Sequence, residues 1–104
     1  MTPTDIAAKL RQHSPGCLPE SLNDDLTFNE WDGGGVAKCQ LPDDIAEAVL
    51  IAAMVRDACL DRSFNEEWVA YPRGGSCVAF LDEYHGGSLG ACYAAWLYAK
   101  GINP

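Results

Sequence analysis

The feature that most constrains how this 104-residue chain can fold is an unbroken apolar run, Ala48 to Val55, entered through Pro42-Asp43-Asp44. At helical spacing Ile45, Val49, Leu50, Ile51, Met54 and Val55 leave no wide polar stripe. A helix apolar nearly all round is usually buried on more than one side. The spacing predicts a central helix that starts at Pro42-Asp43-Asp44, has Glu47 three residues after Asp44 in a capping pattern, and runs to about Leu60 or Asp61. The run is far shorter than the ~20 apolar residues that span a bilayer.

Other elements arrange themselves around it. Thr2 caps a first helix, Pro3 suits its first position, and Asp5 completes a capping box; Ile6 and Leu10 share a face, and Pro15-Gly16 stops it. Residues 17–40 read as an irregular acidic segment, punctuated by Pro19, Asn23-Asp24-Asp25 and Gly33-Gly34-Gly35. Within it, Leu26 and Phe28 alternate as a short strand, and Val36 to Gln40 form another. The runs Glu67 to Tyr71 and Cys77 to Leu81 suit hairpin strands, because Pro72 to Ser76 between them contains the glycines such a loop needs. Ser88 is placed to cap a last helix that carries Leu89, Cys92, Tyr93 and Trp96 on one face and ends at Gly101. The expected fold class is α/β of the α+β kind, with about three helices on a small, mainly antiparallel sheet, in a single domain over residues 1–104. Ile45, Val49, Met54, Trp68, Phe80 and Trp96 are expected to share one core.

Three stretches carry a resemblance. Pro42-Asp43-Asp44-Ile45-Ala46-Glu47-Ala48 resembles the helix entry of the phage ABA-sandwich domain family. Trp68-Val69-Ala70 or Val78-Ala79-Phe80 is similar to that family's strand core, and Ala91-Cys92-Tyr93-Ala94-Ala95-Trp96-Leu97 resembles its alanine-rich closing helix. The overlap spans roughly residues 42 to 101. It implies a small α/β domain of bacteriophage or prophage origin with no assigned activity; the acidic segment and the many cysteines depart from the pattern.

Charge points to association rather than catalysis. Between Arg11 and Arg56 stand eight acids and one base, Lys38, which places seven of the net eight negative charges there. Such a field repels nucleic acid and anionic membrane and favours a basic partner. The residues expected to form that interface are Glu20, Asp24, Asp25, Glu30, Asp32, Asp43 and Asp44, with Trp31 as an apolar anchor. The aromatics lack interleaved basic residues, so they are no stacking platform for single strands; Tyr84 and Tyr98 are the ones expected to be partly exposed.

No motif names a reaction. The five cysteines, Cys17, Cys39, Cys59, Cys77 and Cys92, are too far apart for a zinc site, in which close pairs present two thiolates to one ion. Their odd number and the lack of an apolar leader in residues 1–16 suit reduced thiols in a cytoplasmic protein. Cys77 with His85 is the candidate for nucleophilic chemistry, yet Cys77 sits in an apolar strand where it packs rather than reacts. The paired acids Asp24-Asp25, Asp43-Asp44, Glu66-Glu67 and Asp82-Glu83 lie on turns or helix starts, without the contrasting environments that separate an acid from a base. Gly33-Gly34-Gly35 and Gly86-Gly87-Ser88 are flanked by acids, the wrong charge for a phosphate cradle. The expected function is therefore that of a small acidic accessory protein of a phage or mobile element, without cofactor, metal or catalytic residues. It would bind a basic protein surface, such as that of a nucleic-acid-binding protein, as a host-takeover or counter-defence inhibitor. The alternatives are a small enzyme or ligand-binding protein using Cys77 and His85, and a homo-oligomer subunit, with a homodimer the simplest form.

Overall fold

A computed structural model describes residues 1–31, 33–74 and 78–102. Among them are four helices and five strands in two antiparallel sheets, a mixed α+β fold. Their contacts divide the chain into two compact units, residues 1–50 and 51–104.

The first unit opens with α1, Pro3–His13. Its start is fixed locally: the Thr2 hydroxyl accepts from the Asp5 N–H, and the Asp5 carboxylate accepts from the Thr2 N–H at 3.1 Å. Arg11 then ties the helix to the segment that follows. Its Nη2 donates to the Leu22 carbonyl, and its Nε lies 2.9 Å from Asp24 Oδ1. Strands β1, Thr27–Trp31, and β2, Val36–Gln40, pair antiparallel with Thr27 opposite Gln40 and Trp31 opposite Val36. The bounds of β2 are those expected, whereas β1 begins one residue past Leu26. Leu26 has a φ of 63°, a left-handed backbone that a branched side chain adopts only at a cost. Its side chain is buried, and its N–H donates to the Asn23 carbonyl, so packing and a tight turn hold the strained residue.

Helix α2, Asp43–Met54, starts where expected but ends six or seven residues early. Ala58 to Asp61, expected at the end of the helix, instead belong to strand β3, Ala58–Arg62. A short apolar run such as Ala58-Cys59-Leu60 suits either period, and here the antiparallel partner Trp68–Pro72 decides it. The turn is closed by the Asp57 N–H donating to the Met54 carbonyl. The central role of α2 is also corrected. Ile45 is 46% exposed, and Asp44, Ile45, Ala48 and Ala52 form a solvent stripe at helical spacing, while Leu50 and Met54 are fully buried. Two of the four exposed side chains are alanines, which have little apolar area to hide. Of the residues expected to share one core, Met54 and Trp96 are buried, Val49, Trp68 and Phe80 are half-buried, and Ile45 is not in it.

The second unit contains β3, β4 (Trp68–Pro72) and β5 (Phe80–Leu81), in the order β3-β4-β5. The predicted pairing of the last two strands is present, with Val69 opposite Leu81 and Ala70 opposite Phe80, although β5 is shorter than Cys77 to Leu81. Cys77 lies outside the described residues. Segment 82–85, between the expected hairpin and the last helix, is a short helix α3, Asp82–His85, whose Asp82 carboxylate accepts from the Trp68 N–H at 2.9 Å. Helix α4, Ser88–Lys100, takes the place expected for α2 as the most buried helix: Ala91, Cys92, Tyr93, Ala95, Trp96 and Leu97 are all buried. Gly87, with a φ of 114°, occupies its N-cap in place of Ser88, and Gly101 closes it in a left-handed conformation. At Gly90 a β-carbon would stand 1.7 Å from the His85 carbonyl oxygen, so only glycine lets α3 and α4 meet this closely. Lys100 and Asp57, 3.2 Å apart, link the end of α4 to the start of β3.

Candidate interaction surface

Each described residue of the expected acidic interface is solvent-exposed, but their local settings differ. Glu20 lies in the turn after α1. Asp24 is paired with Arg11 while its own side chain stays 80% exposed. Asp25 accepts from both the Thr27 N–H and the Thr27 hydroxyl, and those bonds hold its carboxyl below the ordinary range, with Lys38 adding to the effect. It is structurally engaged, holding the turn into β1. Asp43 and Asp44 stand in the first turn of α2, where negative charge complements the helix dipole, and Asp44 accepts from the Ile45 N–H. Asp32 lies outside the described residues.

The strand alternation of β1 and β2 sorts the rest. Thr27, Asn29 and Trp31 share a face with Val36, Lys38 and Gln40; Phe28 and Glu30 share the other with Ala37 and Cys39. Glu30 accepts from the Cys39 thiol at 3.3 Å on that second face. Trp31 and Lys38 therefore lie on one side and Glu30 on the other, so the hairpin does not present one uniformly acidic face. What it does present is an apolar pair on its last rung, next to the segment that joins the two strands. Trp31 is 76% exposed and its cross-strand partner Val36 is 66% exposed. Sequence reasoning identified Trp31 and missed Val36, whose role follows only from the register.

The second unit carries an exposed aromatic that sequence reasoning also missed. Phe64 is fully exposed in the turn between β3 and β4, where Ser63 N–H donates to the Glu67 carbonyl and Glu66 takes a φ of 60°. A lone aromatic inside the polar run Ser63-Phe64-Asn65-Glu66-Glu67 was the available signal. Tyr84 and Tyr98 are exposed as expected, and the Phe80 ring lies against those of His85 and Tyr98, with centroids 5.5 and 5.9 Å away.

His85 is exposed against Phe80, and its proposed partner Cys77 is outside the described residues. Cys17, Cys39, Cys59 and Cys92 are thiols rather than disulfides; burial pushes the Cys92 thiol up to about 11, with the nearby Cys59 adding to it, which is the opposite of activation. Among the described residues no group of three or more His, Cys, Asp or Glu side chains is placed to hold a metal ion. None of the described helices is long and apolar enough to cross a membrane. Comparisons of the chain with protein-family models, with curated proteins and with solved structures find no match.

Proposed function

We propose that this protein is a non-catalytic binding module that engages a basic protein surface through the β1–β2 hairpin. Trp31 and Val36 supply the apolar anchor, and Glu20, Asp24, Asp25, Glu30, Asp43 and Asp44 supply the surrounding negative field. The observation that carries this reading is the Trp31–Val36 pair, two large apolar side chains adjacent across a strand ladder and both mostly in solvent. Buried aromatic anchors account for most of the holding energy at protein interfaces, while rim charges govern the rate of encounter. The excess of acid in residues 20–47 suits a basic target such as a nucleic-acid-binding protein. Together with the resemblance to phage ABA-sandwich domains, it suits an accessory protein of a phage or mobile element that acts in the cytoplasm by occupying such a target.

The test is affinity capture with the whole protein, followed by kinetics on the recovered partner. Association should slow as salt rises, because exposed charges are screened beyond ~8 Å at physiological ionic strength. Changing Glu20, Asp24, Asp25 and Glu30 to their amides should slow association. Trp31→Ala should instead speed dissociation.

A further inference from the structure

A second surface stands in the other unit, on residues the proposed interface does not use. Beside the β3–β4 turn lies an open depression of about 410 Å³ lined by Asp61, Arg62, Ser63, Phe64 and Tyr71. The register fixes what it offers. Asp61 pairs with Val69 and Cys59 with Tyr71, so Asp61 and Tyr71 are diagonal neighbours on one face of the hairpin, within reach of an aromatic ring. Arg62 pairs with Trp68 on the opposite face, and its guanidinium sits 5.1 Å from the centre of the Trp68 ring. Arg62 also lines the depression, but its guanidinium is engaged on the Trp68 ring. Asp61 is left exposed and without an ion pair among the described residues, lining the depression with Phe64 and Tyr71. Glu66 and Glu67, in the same turn, add negative charge.

Two exposed aromatic faces beside an unpaired carboxylate form a seat for a cation, since ring quadrupole and carboxylate attract the same charge. A planar guanidinium suits it better than an ammonium: it stacks on a ring, is weakly hydrated and presents a fork of donors to a carboxylate. The Arg62–Trp68 pair shows this chain already using that contact one rung away. We infer that the depression formed by Asp61, Phe64 and Tyr71 binds an arginine side chain of a partner protein. The guanidinium stacks on Phe64 or Tyr71 and its N–H groups donate to Asp61. The backbone of the turn favours display of the aromatic: Glu66 holds a left-handed conformation that glycine or asparagine would adopt more easily, and Phe64 buries nothing.

The probe is a capped tripeptide with arginine between two glycines, titrated into the full chain and followed by amide chemical shifts. Saturable shifts are expected at Asp61, Ser63, Phe64 and Tyr71, with no response to the same peptide carrying neutral citrulline and a weaker one to lysine. Phe64→Ala and Asp61→Asn should each weaken binding about fivefold, the scale of one exposed cation–π or charge contact. Both positions are exposed, so the variants keep the fold, and Trp31→Ala should bind the probe unchanged whatever becomes of the hairpin interface. Absence of saturable shifts at those amides, equal binding of the citrulline peptide, or undiminished affinity in Phe64→Ala would overturn the inference. Tighter binding of free arginine than of the capped peptide would overturn the assignment to a protein partner.

Discussion

Trp31 faces Val36 across the last rung of the β1–β2 ladder, and both side chains project into solvent. Cross-strand pairs contribute about 0.2–1 kcal/mol, and a pair this exposed sits at the low end. The same two side chains buried against a partner would be worth far more. The pair is therefore expected to matter little to folding and much to binding.

Arg11 and Asp24 should respond unequally to substitution. The Arg11 guanidinium donates to the Leu22 carbonyl and so fastens α1 to the segment before β1, whereas Asp24 is 80% exposed and contributes only a screened charge. Arg11→Met is expected to cost about 1.5–3 kcal/mol, the range for a hydrogen bond from a charged donor. Asp24→Asn should cost under about 1 kcal/mol. Urea denaturation of the two variants checks this; equal losses would mean that the ion pair, not the carbonyl bond, holds the helix.

Along α2 the corrected burial pattern predicts opposite outcomes five residues apart. Leu50 is wholly buried, and Leu50→Ala should cost about 2–5 kcal/mol. Ile45, nearly half exposed, should tolerate glutamine with a change of at most about 1 kcal/mol. Comparable destabilisation by both variants in thermal melts would restore α2 as a helix buried all round.

Where the determinants are local, the sequence disclosed the structure. The Thr2–Asp5 capping box, the stop at Gly101 and the span of β2 depend on a few neighbouring residues, and each stands where it was read. Ala58 to Asp61 differ from the helix expected there because their periodicity is ambiguous and the partner strand begins ten residues on from Ala58. Helix α3 was missed because four residues carry no periodicity, and its approach to α4 depends on a missing β-carbon at Gly90. At the candidate surface the residue types were legible but their facing was not. Nothing in composition separates an exposed Trp31 from a buried Trp96, or sets Val36 rather than an acid opposite Trp31.

Gly90→Ala supplies a sharp test of that helix junction. The added methyl would meet the backbone oxygen of His85, not a movable side chain, so α3 or the first turn of α4 must shift. The gain in helix propensity from alanine, about 1 kcal/mol, should be outweighed, and the variant should melt below the parent. A stabilised Gly90→Ala protein would contradict the packing of α3 on α4.

The thiols give a prediction in pH. Cys92 is fully buried with its pKa raised to about 11, while an unfolded cysteine titrates near 8.5. A raised value favours the protonated native thiol, so its contribution to stability is whole below about pH 8.5 and is lost as pH rises towards 11. Cys92→Ala should flatten the alkaline fall in melting temperature. In the native protein at pH 8 Cys92 should be the slowest described thiol to react with a disulfide reagent, and denaturation without reductant should expose five reactive groups.

The most direct measurement is the dissociation rate of a captured basic partner from the parent and from Trp31→Ala, each with its melting temperature recorded. The proposed anchor predicts dissociation at least tenfold faster in the variant, as expected for loss of a buried aromatic at an interface, with stability unchanged within about 0.5 kcal/mol. Equal dissociation rates in two equally stable proteins would contradict the hairpin as the binding surface.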